Sequence, residues 1–311
     1  MARGSRESGV LAMRMKYKEI QFRDKSLVLI DLVNKVVNEY SKQGYELTLR
    51  QVYYQLVARG YIPNNERSYK NIGNLINDGR LAGLIDWNSI TDRTRNLRHR
   101  SHWDNPSEVI DSARYSYLLD KWEGQPNYVE VWVEKDALVD IVGQACYPID
   151  TPYFSCRGYT SQSEMWAAAQ RFIRQRNREG RYIIHLGDHD PSGIDMTRDI
   201  QERLYMFGAD VEVKRVALTM EQVDTYSPPP NPAKLTDSRC WKYMDEFGDE
   251  SWELDALEPQ VLNSLITNEV TALRDDELYR QVCAREKRGK DELQMICDNY
   301  TEVIEFLSEG A

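Results

Sequence analysis

No apolar run in this 311-residue chain approaches the roughly 20 residues that a membrane-spanning helix needs. The five cysteines, Cys146, Cys156, Cys240, Cys283 and Cys297, are odd in number and contain no CxxC pair. That argues against structural zinc and a disulfide framework, and for a reduced, cytoplasmic protein, nucleoid-associated if the source is prokaryotic. No GxGxxG, Walker loop, internal repeat or low-complexity tract occurs, so neither a dinucleotide fingerprint nor a phosphate-binding P-loop is available. Residues 1–25 carry Arg3, Arg6, Arg14 and Lys16 but lack the apolar core of a signal peptide, and are expected to form a loose tail.

What is present is unevenly charged. The net charge is −10, yet residues 1–125 hold 20 Lys and Arg against 15 Asp and Glu, while the remainder holds 20 against 35. The length suits two domains, and a 41% hydrophobic fraction is enough for ordinary cores. A basic front half and an acidic back half suit a protein that grips phosphate with one part and does metal-assisted chemistry with the other.

Two segments carry the chemistry. VWVEKDAL places Glu134 after one β-favouring run, and IIHLGDHDPSG places Asp188 and Asp190 after another. Strand alternation points Asp188 and Asp190 the same way and sends His189 elsewhere; His185 and His189 are expected on the surface or behind the acids. At the carboxyl edge of a parallel sheet the three acids converge. Packed carboxylates repel unless a cation neutralises them, and oxygen donors favour Mg²⁺, with Mn²⁺ as a substitute. Strands at 128–133, 152–155, 181–187 and 211–217 alternate with helices at 135–145, 161–179 and 192–208, an α/β pattern with a parallel sheet.

EKDA (Glu134–Ala137), RGY (Arg157–Tyr159) and DHDPSGI (Asp188–Ile194) in this order resemble the Toprim domain, and most closely that of the topoisomerase VI A subunit and its meiotic double-strand-break relative. The resemblance covers about residues 128–217. It implies metal binding by Glu134, Asp188 and Asp190, and phosphate or DNA contacts from Lys135 and Arg157.

The front half reads as helices over Ser26–Gly44, from an N-cap at Thr48 to Gly60, and over SYKNIGNLINDGRLAG. An extended LIDWNSITD then leads into the basic run holding Arg93, Arg95 and Arg98. This is the element order of a winged helix, with those arginines as DNA contacts. On the helix LRQVYYQLVARG, Leu49, Val52, Tyr53 and Leu56 form the buried stripe, while Tyr54 falls off it beside Arg50 and is expected to be exposed. A neighbouring guanidinium and an arriving Mg²⁺ would favour its phenolate. LRQVYY resembles the motif in which the second aromatic of the topoisomerase VI A family attacks DNA, which here is Tyr54, with Arg50 holding the phosphate.

The expected organisation is therefore a tail (1–25), a winged-helix domain (26–125), a Toprim domain (126–218) and a helical extension (219–311) that packs or dimerises. Ser227–Leu235 reads as a stiff connection over the surface, and Glu253 and Asp255 as capping or surface charges rather than site residues. The resemblance implies a homodimer on double-stranded DNA in which Tyr54 of one subunit meets the acids of the other, with a separate GHKL-type ATPase subunit where strand passage occurs. The expected activity is DNA cleavage through a 5′-phosphotyrosyl intermediate. A Toprim nuclease using water and a non-catalytic DNA-binding dimer are the alternatives.

Overall fold

The computed structural model describes residues 14–91, 100–233 and 236–309. Its front part is three helices around one apolar core. Helix α1 (Asp24–Ser41) buries Ile30, Val33, Val36, Val37 and Tyr40 along one face. A two-residue strand β1 (Leu47–Thr48) leads into α2 (Leu49–Ala58). Thr48 starts α2 with a capping box: its hydroxyl accepts from the Gln51 amide, and the Gln51 side chain accepts from the Thr48 amide at 2.7 Å. Gly60, in the left-handed region at φ +71, ends the turn that follows. Asn65 then caps α3 (Glu66–Leu81). Among the described residues of the expected extended stretch, only Ile90–Thr91 form a strand, β2, which pairs in parallel with β1. The stretch before α1 is not loose where it is described, since the Tyr17 and Lys18 amides both donate to the Leu81 carbonyl.

After α4 (Pro106–Ser116) the chain enters an α/β layer: β3 (Asn127–Val133), α5 (Val139–Cys146), β4 (Tyr153–Ser155), α6 (Gln162–Arg174), β5 (Gly180–Leu186), α7 (Pro191–Met206) and β6 (Glu212–Ala217). The four strands are all parallel, in spatial order β4-β3-β5-β6. Alternation serves both faces. Val129, Val131 and Val133 of β3 join the core under α5, while Trp132 joins the opposite core under α6 and α7. Register levels the carboxyl ends, with Val133 opposite both Leu186 and Ser155, and Leu186 opposite Ala217. The strand order reverses between β3 and β5, so residues leaving those two strands face the crevice where such sheets bind ligands.

The rest of the chain is α8 (Met220–Tyr226), β7 (Asn231–Pro232), α9 (Cys240–Phe247), β8 (Glu250–Ser251), α10 (Pro259–Thr271), α11 (Asp276–Asp298) and α12 (Tyr300–Glu309). The proline-rich connection does not simply run over the surface. β7 pairs antiparallel with β8, and the Asn64 amide of the front part donates to Pro230 O at 3.0 Å and to Asn231 Oδ1 at 2.7 Å. α10 covers the α5 face, with Leu262, Ile266 and Val270 in that core. α4 lies against α11, where Glu286 takes the Leu119 amide and pairs with Lys121. Among the described residues no helix is long and apolar enough to cross a membrane.

The Asp-Pro-x-Gly sequence has a local physical reason. Asp190 caps α7 by accepting the Gly193 amide at 2.6 Å, and Pro191 occupies the first turn, where no amide is needed. Gly193 passes so close to the preceding turn that an added Cβ would lie 2.2 Å from Asp188 O. Gly193→Ala is expected to destabilise the fold by about 1–3 kcal/mol. Thr48→Ala, which removes only the α2 cap, should cost about 1 kcal/mol. Urea midpoints shifted by these amounts at unchanged slope check both.

Candidate active site

Glu134 follows β3, Asp188 follows β5 by two residues, and both lie at the level carboxyl edge of the sheet. The Glu134 carboxylate accepts the Asp188 amide at 2.9 Å. Strand alternation is not what orients the aspartates, because β5 ends at Leu186 and both stand in the turn beyond it. Asp188 Oδ1 takes the Leu254 amide at 2.8 Å and the Lys135 ammonium at 2.7 Å, while Asp190 turns toward the first turn of α7. His189 points away from the acids, but it is buried rather than exposed: its ring meets the Tyr243 hydroxyl at 2.7 Å. Burial, with Arg215 nearby, pushes its pKa down to about 4. His185 is fully buried inside β5 and bonds Thr197, and burial lowers its pKa to about 3. Both rings are neutral at physiological pH.

The residues the sequence left on the surface join the two halves of the molecule. Glu253 precedes the turn Leu254–Ala256 and Asp255 lies within it, and neither side chain caps a helix. Trp252 pairs its backbone with His189 in both directions, fixing this turn against the acidic loop. Glu253 then bonds Arg50 at 2.7 Å and also Lys135. Asp255, with its side chain fully buried, forms an ion pair with Arg50 at 2.6 Å and accepts a hydrogen bond from Lys135 at 3.3 Å. Burial alone would raise the Glu253 pKa, but Lys135 and Arg50 hold it down to about 2. Burial opposes the charge on Lys135, and Asp255, Asp188 and Glu253 outweigh it, so the ammonium stays charged. Arg215 was not evident in the sequence either. From β6 its guanidinium donates to Gly187 O, Asp188 O and Gly193 O, bracing the acidic turn through its carbonyls.

Tyr54 is not exposed: only 5% of its surface is accessible. The helical projection counted only the front core, whereas the turn after Glu253 covers the other side of α2 and inserts Ala256 into that core. The Arg50 guanidinium sits 5.7 Å from the Tyr54 ring centre. It does not promote the phenolate in this arrangement. Burial first, then Glu253 and Asp255, outweigh Arg50 and Lys135 and push the hydroxyl up to about 12. Even so, Tyr54, Arg50, Glu253 and Asp190 line one cleft of about 480 Å³ within a single chain. Arg157 stands outside this cluster, largely exposed, left-handed at φ +53 and paired with Asp136. Arg93, Arg95 and Arg98 lie outside the described residues.

Five carboxylates (Glu134, Asp188, Asp190, Glu253, Asp255) thus face three cations (Arg50, Lys135, Arg215). Burial is the main reason that the Glu134 and Asp188 pKa values lie above the ordinary carboxylate range, and neighbouring acids add to it. Among the described residues no three ligating side chains converge on one point in this arrangement. The donor chemistry does fit a hard dication: all oxygen, at a sheet edge, with an excess of negative charge. Comparisons with family models, curated proteins and solved structures find no match.

Because the folded state holds protons on Glu134 and Asp188 more tightly than the unfolded chain, their contribution to stability is full at acid pH. It is lost as pH rises through the folded-state values. A dication would take the place of those protons. Thermal melting is therefore expected to show stabilisation by Mg²⁺ that grows as pH rises above the ordinary carboxylate range and disappears in Glu134→Gln.

Proposed function

We propose that this protein is a Mg²⁺-dependent DNA-cleaving enzyme, similar to the topoisomerase VI A subunit in joining a winged-helix-like tyrosine domain to a Toprim-like sheet. The observation that carries the reading is the cleft that Tyr54 and Arg50 share with Asp190, next to a sheet edge whose Asp188 is tied to Arg50 through Lys135, Glu253 and Asp255. Double-stranded DNA is the substrate this chemistry suits, and two copies acting on one duplex would cut both strands.

In this reading Tyr54 Oη attacks a backbone phosphorus. The Tyr54 O–P bond forms as the P–O3′ bond breaks, leaving a 5′-phosphotyrosyl end and a 3′-hydroxyl that takes up the proton. Arg50 lies beside the Tyr54 ring, with two carboxylates fixing its fork so that an outward-facing edge can meet a phosphate oxygen. Lys135 holds Asp188 in place. Glu134, Asp188 and Asp190 would hold Mg²⁺, which when bound stabilises charge on the transferring phosphoryl group. One observation favours hydrolysis by water instead: the Tyr54 hydroxyl is buried and pushed up to about 12, so it is a weak nucleophile until charge in the cleft changes.

Supercoiled plasmid incubated with the protein and Mg²⁺, stopped with SDS and split with and without protease, separates the two. The tyrosine mechanism predicts broken DNA carrying protease-sensitive protein, lost in both Tyr54→Phe and Asp188→Ala. Protein-free ends that persist in Tyr54→Phe but not in Asp188→Ala would leave a hydrolytic nuclease. Intact plasmid under every condition would contradict both.

A further inference from the structure

We infer that the cleft beside Tyr54 is a pocket for a single unstacked nucleobase, so that the enzyme acts on DNA whose base next to the scissile phosphate leaves the helix. The inference rests on the DNA-cleaving reading for its substrate, and on the following features of the cleft for its chemistry.

Away from Tyr54 and Asp190, the cleft is walled by Tyr69, Trp252 and Pro232. Tyr53 forms its floor and is locked from two sides. Its ring meets those of Tyr54 and Tyr69 edge to face at 5.2 and 5.3 Å, and its hydroxyl accepts the Asn65 amide at 2.8 Å and bonds Asn64 Oδ1 at 2.9 Å. Asn64 in turn ties this wall to Asn231 on the opposite rim. The pocket is therefore framed by two parts of the chain that hold each other in place. Its volume, about 480 Å³, falls among small-ligand sites.

The lining selects the ligand. Glu66, Asp190 and Glu253 stand on the cleft and Arg50 is its one cation among the described residues, already committed to Glu253 and Asp255. A phosphate is repelled from the interior and held at the Arg50 end. A flat, neutral group with an amide-like edge is accepted, by stacking on tyrosine and by hydrogen bonding. Among the described residues the Tyr69 hydroxyl has no protein partner. Asn65 spends its side-chain oxygen on the Ser68 amide, which leaves its amino group to donate. In a nucleotide whose phosphate lies at Tyr54, the flat neutral group within reach is the base. Extrusion from a duplex costs a few kcal/mol and least at mismatches, gaps and ends, so such sites are the preferred targets.

The test is a fluorescence titration of 2-aminopurine deoxyriboside 5′-monophosphate with the full-length protein in chelator, which needs no cleavage. The expected result is saturable quenching, competed by dAMP or dTMP and not by deoxyribose 5-phosphate. Tyr69→Leu, which keeps an apolar side chain but removes the ring, should weaken it about tenfold. Asn65→Asp retains the α3 cap and removes the amino donor, and should weaken it without loss of thermal stability. Absence of saturable quenching, equal competition by deoxyribose 5-phosphate, or unchanged binding in both variants would overturn the pocket. Nucleotide binding by a protein that never cuts DNA would leave the pocket standing and sink the cleavage reading.

Discussion

Arg50 and Lys135 share the carboxylates of Glu253 and Asp255, and Lys135 passes the connection on to Asp188. This buried ion cluster fixes the position of everything else in the site. Arg50 belongs to the tyrosine helix, Lys135 and Asp188 to the sheet edge, and the two acids to a turn far along the chain. Removing Lys135 strands the buried Asp188 and Asp255 carboxylates, at a cost of about 3–5 kcal/mol, whereas the half-exposed Arg50 costs less. The same turn inserts Ala256 into the front core and pairs Trp252 with His189, so apolar packing and backbone bonds support the cluster on both sides.

The electrostatics follow from that placement. Two cations satisfy Glu253 and Asp255 well, which is why Glu253 remains charged down to about pH 2. Glu134 and Asp188 share what is left and are held toward their protonated forms, as a site prepared for a dication would be. Tyr54 feels the same field from the other end. With Glu253 and Asp255 close and burial nearly complete, it keeps its proton, so any chemistry by its hydroxyl depends on cations or substrate altering the charge around it.

Much of the α/β layer was legible because buried parallel strands are short apolar runs and because Asp-Pro-x-Gly encodes a helix start that only glycine fits. The Thr48 cap was equally local. What failed to show was long-range. The exposure of Tyr54 was misjudged because the periodicity of α2 records the contacts of its own bundle and not the turn that covers its far side. Glu253 and Asp255 read as surface charges because nothing within WELDAL announces that two cations, about 120 and 200 residues earlier, will meet them. The lone arginine in the β6 sequence EVKRVA was a cue that went unread, since a cation beside buried strand residues needs acceptors nearby.

In the proposed enzyme one chain supplies both the tyrosine and the acids of each site. The decisive measurement mixes two variants expected to be inactive, Tyr54→Phe and Asp188→Ala, under conditions that allow subunits to exchange. If each site is built within one chain, every site in the mixture keeps one lesion and no DNA is cut. Recovery of cleavage on mixing would mean that Tyr54 of one chain works with the acids of another, and would rule out a site built within one chain.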